Sequence, residues 1–347
     1  MPEERCGYTN EASTLPDVGG VCCWRPVWDG TDRCVWHADV SQKPADALAA
    51  ATGRRFDGAV FRGVSLNDVE WFSERTFVDA RFVDCNLRNA DFTGTDLRGS
   101  RFRETDAQWA TFCDANLETA EFDRSDLRFA SLRRSRLHHV VFANARVNEE
   151  TSFGDRVVYE AELAAVDDAD DRSKRFEAAR WTYRELQRVA EKNGLSRSMR
   201  RYYHREKEMH RRLLWESRAY LKAIAEEGWR WTTAYGSSPY RVIATSLAVV
   251  VLCAVLYPLT GGIQETAGGV AITYEVENPG TTPGGFLSLV FFKSLYFSTI
   301  TFATLGYGDI QPIGEWARVV AGVEALLGHV LLALLMFVLT RTIVWSN

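Results

Sequence analysis

Six consecutive residues, Thr304-Leu305-Gly306-Tyr307-Gly308-Asp309, concentrate the chemistry of this 347-residue chain. Their types suit main-chain rather than side-chain work. Glycine at two alternate positions opens dihedral angles closed to other residues, so successive carbonyls can be turned to one side. A row of carbonyls can replace the hydration shell of a monovalent cation. Thr304 adds a hydroxyl at one mouth of the row, Tyr307 a brace behind it, and Asp309 an acid at the other mouth. A second reactive set lies near the N-terminus, where Cys6, Cys22, Cys23, Cys34 and His37 fall within 32 residues. Cys34 and His37 have the two-residue gap of a metal knuckle. With Cys6 and one of Cys22 and Cys23 they complete a tetrahedral Cys3His set of the kind that holds structural zinc. Two other readings stay open, namely a small module of buried cysteines and a redox-sensing thiol group.

Two long apolar runs flank the hexapeptide's neighbourhood, Val242–Leu259 and Ala317–Thr340. At about 1.5 Å per residue each is long enough to cross a hydrocarbon core of roughly 30 Å. Phe286–Phe302 is apolar and aromatic but leads straight into Thr304. Irregular backbone at membrane depth is tolerated only where it lines a cavity or is buried in protein, so this segment reads as a re-entrant helix and return loop. The order of helix, pore helix, filter and helix resembles the pore of two-transmembrane potassium channels, whose TVGYG loop the hexapeptide closely matches.

That resemblance covers roughly residues 240–344 and implies K+ as the permeant ion and a homotetramer, because four loops are needed to ring an ion. It makes Tyr296 and Phe297 the aromatic pair that braces the filter. Gly328, 22 residues after Gly306, takes the place of the inner-helix hinge. His329, Leu332, Met336 and Thr340 follow at helical spacing and could share a water-filled face. Leu305 replaces the commoner valine or isoleucine, and Ile300 stands where some relatives carry a glutamate. Glu324 lies mid-span, either as a gating or filter-support acid bonded to pore-helix hydroxyls such as Thr301, or as a buried acid that only fastens two helices. His329 faces either the cavity, where imidazolium would repel K+, or a neighbouring helix. Lys293 and Arg318 read as snorkelling or solvated.

Arginines precede the first span and Arg341 follows the second, so both termini are expected in the cytoplasm and the protein in the plasma membrane. Thr260–Gly285 has no basic residue but holds Glu265, Glu275 and Glu277, and reads as a solvated outer loop. Trp229, Trp231, Tyr235 and Tyr240 form an interfacial aromatic cluster. The first 17 residues are too polar for a signal peptide. No arginine-studded voltage sensor precedes the pore, and no C-terminal regulatory domain is expected after it.

The soluble half carries another signal. Large apolar residues recur every fifth position, at Phe82, Leu87, Phe92, Leu97, Phe102, Phe112, Leu117, Phe122, Leu127 and onward to Val147, with a small residue two places before. Period five fits neither an amphipathic helix nor a simple strand. With triplets such as Ala90-Asp91-Phe92 and Ala115-Asn116-Leu117 it resembles the pentapeptide-repeat family, which implies a right-handed quadrilateral β-helix. Phe56–Val147 would make roughly four to five coils and a rod about 20–25 Å tall. Irregular corners are expected near Trp71–Phe72 and at Ala107. Between Arg81 and Arg146 there are 11 basic and 10 acidic side chains, which argues against mimicry of nucleic acid.

Beyond it, Glu160–Asn193 reads as a helix ending at Gly194, followed by a second from Ser196 to about Glu227. Arg172–Lys222 holds 16 basic and 6 acidic residues, giving either attraction to anionic lipid or a solvated helical surface. No phosphate-binding glycine loop or nucleophile elbow is present, so no enzyme is expected.

The expected whole is a multidomain membrane protein with a zinc-binding cap (1–50), a pentapeptide-repeat β-helix (51–150), a cytoplasmic helical linker (151–235) and a tetrameric pore domain (236–347). Within the pore domain the first span covers 241–260, the pore helix 286–302, the filter 304–309 and the second span 316–341. Its function reads as a K+ channel gated through an unknown cytoplasmic ligand or protein partner on the solenoid, with inner helices that splay about Gly328. The alternatives are a weakly selective cation channel and a membrane-anchored scaffold with a vestigial pore.

Overall fold

One residue in five takes the left-handed backbone conformation through most of the repeat: φ is 52° at Asp84, 57° at Asn89, 65° at Gly94, 67° at Gly99 and 54° at Glu104. Each such residue turns the chain through a corner, and the large residue between corners points inward. The computed structural model describes residues 5–15, 19–28, 30–50, 53–267, 270–276 and 283–346. The chain divides into two units, residues 1–223 and 224–347.

The first unit opens with an antiparallel pair, β1 (Thr9–Leu15) and β2 (Gly19–Cys22), and a short helix α1 (Ala45–Ala49). Five three-residue strands follow: β3 (Val60–Arg62), β4 (Arg81–Val83), β5 (Arg101–Arg103), β6 (Glu121–Asp123) and β7 (Val141–Ala143). They pair in parallel and in register, making one wall of a β-solenoid of about four turns. Phe61, Phe82, Phe102 and Phe122 stack down the interior at centroid spacings of 4.7, 4.7 and 4.6 Å. Phe72, Phe92 and Phe112 make a second column. These spacings equal the strand separation, so each ring sits on the ring of the coil below.

The first coil is one residue longer than the three that follow it, and the surplus is taken up beside Trp71 and Phe72. Ala107, by contrast, is not an irregular corner. It is fully buried, its N–H reaches the Asp126 carbonyl at 2.9 Å, and the next corner at Trp109 has the usual φ of 58°.

Both ends of the solenoid are covered, which removes the exposed strand edges that invite aggregation. At the first end Trp36 is fully buried with its ring 4.2 Å from Phe56 and 5.3 Å from Trp71. The Val60 N–H donates to the Trp36 carbonyl, and Lys43 Nζ donates to the carbonyls of Trp36 and Val60. At the last coil the capping helices are α2 (Val158–Ala161) and α3 (Ala169–Lys192), the latter started by the Asp168 side chain. Glu185 accepts from the Phe142 N–H at 3.2 Å, and Asn193 bridges the Val147 N–H and the Ala145 carbonyl. Helix α3 ends with Gly194 at φ 70° and packs as a hairpin on α4 (Ser196–Glu216). The second linker helix is interrupted where Arg218 takes φ 57°, and α5 (Tyr220–Thr233) follows.

The second unit holds α6 (Pro239–Leu259), β8 (Ile263–Ala267), β9 (Val270–Tyr274), α7 (Gly284–Phe302), β10 (Ile310–Pro312) and α8 (Glu315–Ser346). Helices α6, α7 and α8 are each long and apolar enough to cross a membrane. The connection after α6 is a sheet, not a plain loop: β8 pairs with β9 on one side and β10 on the other. Glu277 lies outside the described residues.

Candidate functional site

Helix α7 does not continue to the far end of its neighbours. Its last residue, Phe302, abuts Gly328 near the middle of α8, and Ser298 meets the Val250 carbonyl near the middle of α6. Lys293, half-way along α7, already reaches Glu265 on β8, beyond the end of α6. The chain then returns through residues 304–309 to β10, which pairs with that same β8. Residues 284–312 therefore enter and leave on one side, as a helix-and-return hairpin.

Within the return, Thr304, Gly306 and Gly308 have φ of 57°, 54° and 78°, while Leu305 and Tyr307 between them lie outside the left-handed region. Alternation between the two hands directs successive peptide groups to the same side, the main-chain arrangement needed to hold an ion. The entry is fixed by the end of α7, where the Thr304 N–H donates to the Thr301 carbonyl and Leu305 N–H to Ile300. The exit is fixed by Tyr296, whose hydroxyl donates to Asp309 Oδ2 at 2.9 Å, and by the Thr266 N–H on the Asp309 carbonyl. Phe297 is buried, its ring at 4.8 Å from Tyr257. Leu305 and Tyr307 are 57% and 67% exposed in the single chain.

Glu324 is fully buried. It accepts from the hydroxyls of Tyr257 on α6 and Ser298 on α7, so one carboxyl ties all three helices. Its α7 partner is thus Ser298 and not Thr301, because Ser298 lies one turn earlier at the level where α6, α7 and α8 converge. Sequence reasoning missed Ser298 and Tyr257, although hydroxyls at Ser294 and Ser298, one turn apart in an apolar helix, were a usable signal. Lys293 is ion-paired with Glu265 at 2.8 Å rather than snorkelling or solvated. Hydrogen bonds from Lys293 and from the Tyr274 hydroxyl hold the Glu265 carboxyl below the ordinary range.

Helix α8 shows two stripes. Ala317, Glu324, Gly328, Leu331 and Val338 are buried, whereas His329, Leu332, Met336 and Thr340 are exposed on the single chain. His329 Nδ1–H donates to the Ala325 carbonyl at 2.8 Å. A Cβ at Gly328 would stand 2.2 Å from the Phe302 carbonyl oxygen, so this glycine is first of all a point of close approach.

In the first unit Cys6, Cys23, Cys34 and His37 come together, each offering a ligand atom within 4.8 Å of the others. Cys6 and Cys34 are buried, and their sulfurs lie 3.3 Å from His37 Nδ1. Cys23 Sγ is 3.8 Å from Cys34 Sγ. Cys22 is exposed and outside the group, its sulfur 3.9 Å from the Cys23 carbonyl oxygen. The hydrogen bond from Cys34 favours a thiolate on Cys23, while Cys34, as donor in a buried setting, is held above the ordinary thiol range.

A helix-and-return hairpin between two apolar helices and a β-solenoid in the other unit are the two features to set beside known families. Residues 247–344 match the family described as ion channel, and residues 54–132 match the pentapeptide repeat region. The chain therefore carries an ion channel domain and a pentapeptide repeat region, and it is a membrane protein. Protein LctB of Geobacillus stearothermophilus is 39% identical over 70 residues, 20% of this chain and 48% of that protein. The match thus spans about half the length of this curated relative. Among solved structures, Rfr23 of the cyanobacterium Cyanothece 51142 is 18% identical, with 31% of this chain and 69% of that one covered and a TM-score of 0.24. A pentapeptide repeat protein of the Arabidopsis thaliana thylakoid lumen is 20% identical over 34% of this chain and 81% of that one, with a TM-score of 0.25.

Proposed function

We propose that the protein is a potassium-selective channel of the plasma membrane, built from four copies of this chain with both termini in the cytoplasm. Residues 304–309 act as the selectivity filter. The observation that carries this reading is the alternating backbone at Thr304, Gly306 and Gly308, which presents consecutive carbonyls as a stand-in for water around K+. Tyr296 and Phe297 brace the filter, with Thr301 at the turn that enters it. The uncovered faces of Leu305 and Tyr307 are those that neighbouring copies would bury. His329, Leu332, Met336 and Thr340 line the cavity, and the N-terminal Cys/His cluster holds a resident zinc ion.

Gating runs from the solenoid and linker to the inner helices. Ala234, Tyr235 and Gly236 take φ of 48°, 59° and 77° in succession, a sharp turn between α5 and α6. Arg341 near the end of α8 donates to the Tyr235 carbonyl at 3.2 Å. A partner that binds one state of the cytoplasmic module more tightly would bias α8 through this turn.

The test is flux of K+ into liposomes that hold the purified full-length chain, alongside Gly306→Ala. Wild-type flux with a K+ reversal potential in mixed K+ and Na+, and loss of at least about tenfold in Gly306→Ala, is expected because the added Cβ disfavours positive φ. A reversal potential that ignores the K+ gradient would make it a weakly selective cation channel. Absent flux under every condition would leave a membrane-anchored scaffold.

A further inference from the structure

The zinc reading leaves open which thiols bind and what the ion does. Resting on that reading, we infer that Cys6, Cys23, Cys34 and His37 Nδ1 are the four ligands, that Cys22 is not, and that the ion fastens the N-terminal segment over the first coil of the solenoid.

The geometry of the cluster carries the ligand set. Around a tetrahedral zinc, with Zn–S about 2.3 Å and Zn–N about 2.05 Å, two sulfurs lie roughly 3.8 Å apart and a sulfur and nitrogen roughly 3.6 Å apart. The distances of 3.8 Å for Cys23–Cys34 and 3.3 Å for the Cys6–His37 and Cys34–His37 pairs approach those edges, and all four ligand atoms lie within 4.8 Å of one another. The histidine is also in the right tautomer. Its Nε2–H donates to the Asp57 carbonyl at 2.9 Å, which leaves the Nδ1 lone pair aimed at the sulfurs. Tyr8 stacks on the ring at 4.1 Å and fixes its plane. Three thiolates and one Zn2+ leave a single negative charge, and Arg25 Nη1, 3.7 Å from Cys23 Sγ, stands ready to offset it.

The same contacts show what the ion would hold together. Cys6 and Cys23 come from the two backbone runs joined by the Cys6–Arg25 and Gly7–Cys23 hydrogen bonds, and Cys34 and His37 flank Trp36. Through Asp57 the histidine reaches the first coil itself, where Asp57 Oδ1 accepts from the Val78 N–H. About 40 residues bury too little apolar surface to hold this arrangement unaided. The ion therefore keeps Trp36 seated on Phe56 and Trp71 and keeps the edge of β3 covered.

Metal analysis of the full-length protein, purified in detergent without added metal, should find about one zinc per chain. Cys23→Ser and Cys34→Ser should each drop this below about 0.3, Cys22→Ser should leave it unchanged, and His37→Cys, which makes a four-thiolate set, should retain it. Hydrogen exchange on the same sample, before and after chelation, should show lost protection in residues 36–43 and 56–64 with residues 101–143 unchanged. Wild type without zinc, or with a Cys23–Cys34 disulfide in its place, sinks the zinc reading itself. Zinc that survives Cys23→Ser and leaves with Cys22→Ser overturns the ligand set alone. Correct ligands with no change in exchange on chelation overturn the fastening role alone.

Discussion

At Glu324 a carboxyl group in the middle of an apolar helix is made tolerable by two hydroxyls that come from different helices. Removing it costs more than its own contacts, because the Tyr257 hydroxyl loses its carboxyl acceptor and Ser298 keeps only the Val250 carbonyl. Glu324→Ala should lower stability by about 1–3 kcal/mol for the lost buried hydrogen bonds, whereas Glu324→Gln, which keeps an acceptor of the same shape, should lose much less. Thermal unfolding of the detergent-solubilised protein decides this, and equal losses in both variants would mean that the hydroxyls are not held by the carboxyl. The acid itself was legible in the sequence as a charge in the wrong place. Its partners were not, because Tyr257, Ser298 and Glu324 meet only once three helices have packed. The same holds for the adjacent thiols: Cys22 and Cys23 are chemically equal as text, and only the folded backbone, in which Cys22 ends β2 opposite Thr9 and Cys23 follows it bonded to Gly7 and Tyr8, separates them.

Among the elements, the crossing of α7 and α8 is set by the one glycine that lets a main-chain carbonyl approach. With Phe302 oxygen 2.2 Å from any added Cβ, Gly328→Ala must push the end of α7 away, and with it the residues that lead into Thr304. We expect flux to fall at least about tenfold and the midpoint of thermal unfolding to drop by a few degrees, on the scale of overpacking. An alanine variant with normal stability but altered opening would instead favour a hinge at this position. Helices were the readable elements here, since their apolar lengths and the glycine stop at Gly194 are local signals. The three strands on either side of α7 were not, because Ile263–Ala267 and Ile310–Pro312 pair across 47 residues, and neither alternates clearly enough to be read alone.

For the molecule as a whole, the repeat was legible because its period is short and its interior demands one bulky residue per side. What covers the two ends was less so, since Trp36, Lys43, Glu185 and Asn193 act through single contacts that no period reveals. A solenoid of this kind is held by neighbours above and below. Excision of residues 91–110, one full coil, rejoins Ala90 to Thr111 in matching register, because Asp91 and Thr111 already pair. The shortened protein should keep its strand signal in circular dichroism and its zinc content. Collapse of either would show that the coils are not interchangeable.

The matched stack of rings then has an unusual mechanical consequence. Length can be altered in steps of about 4.8 Å, one coil at a time, while the caps at both termini of the rod keep the same contacts.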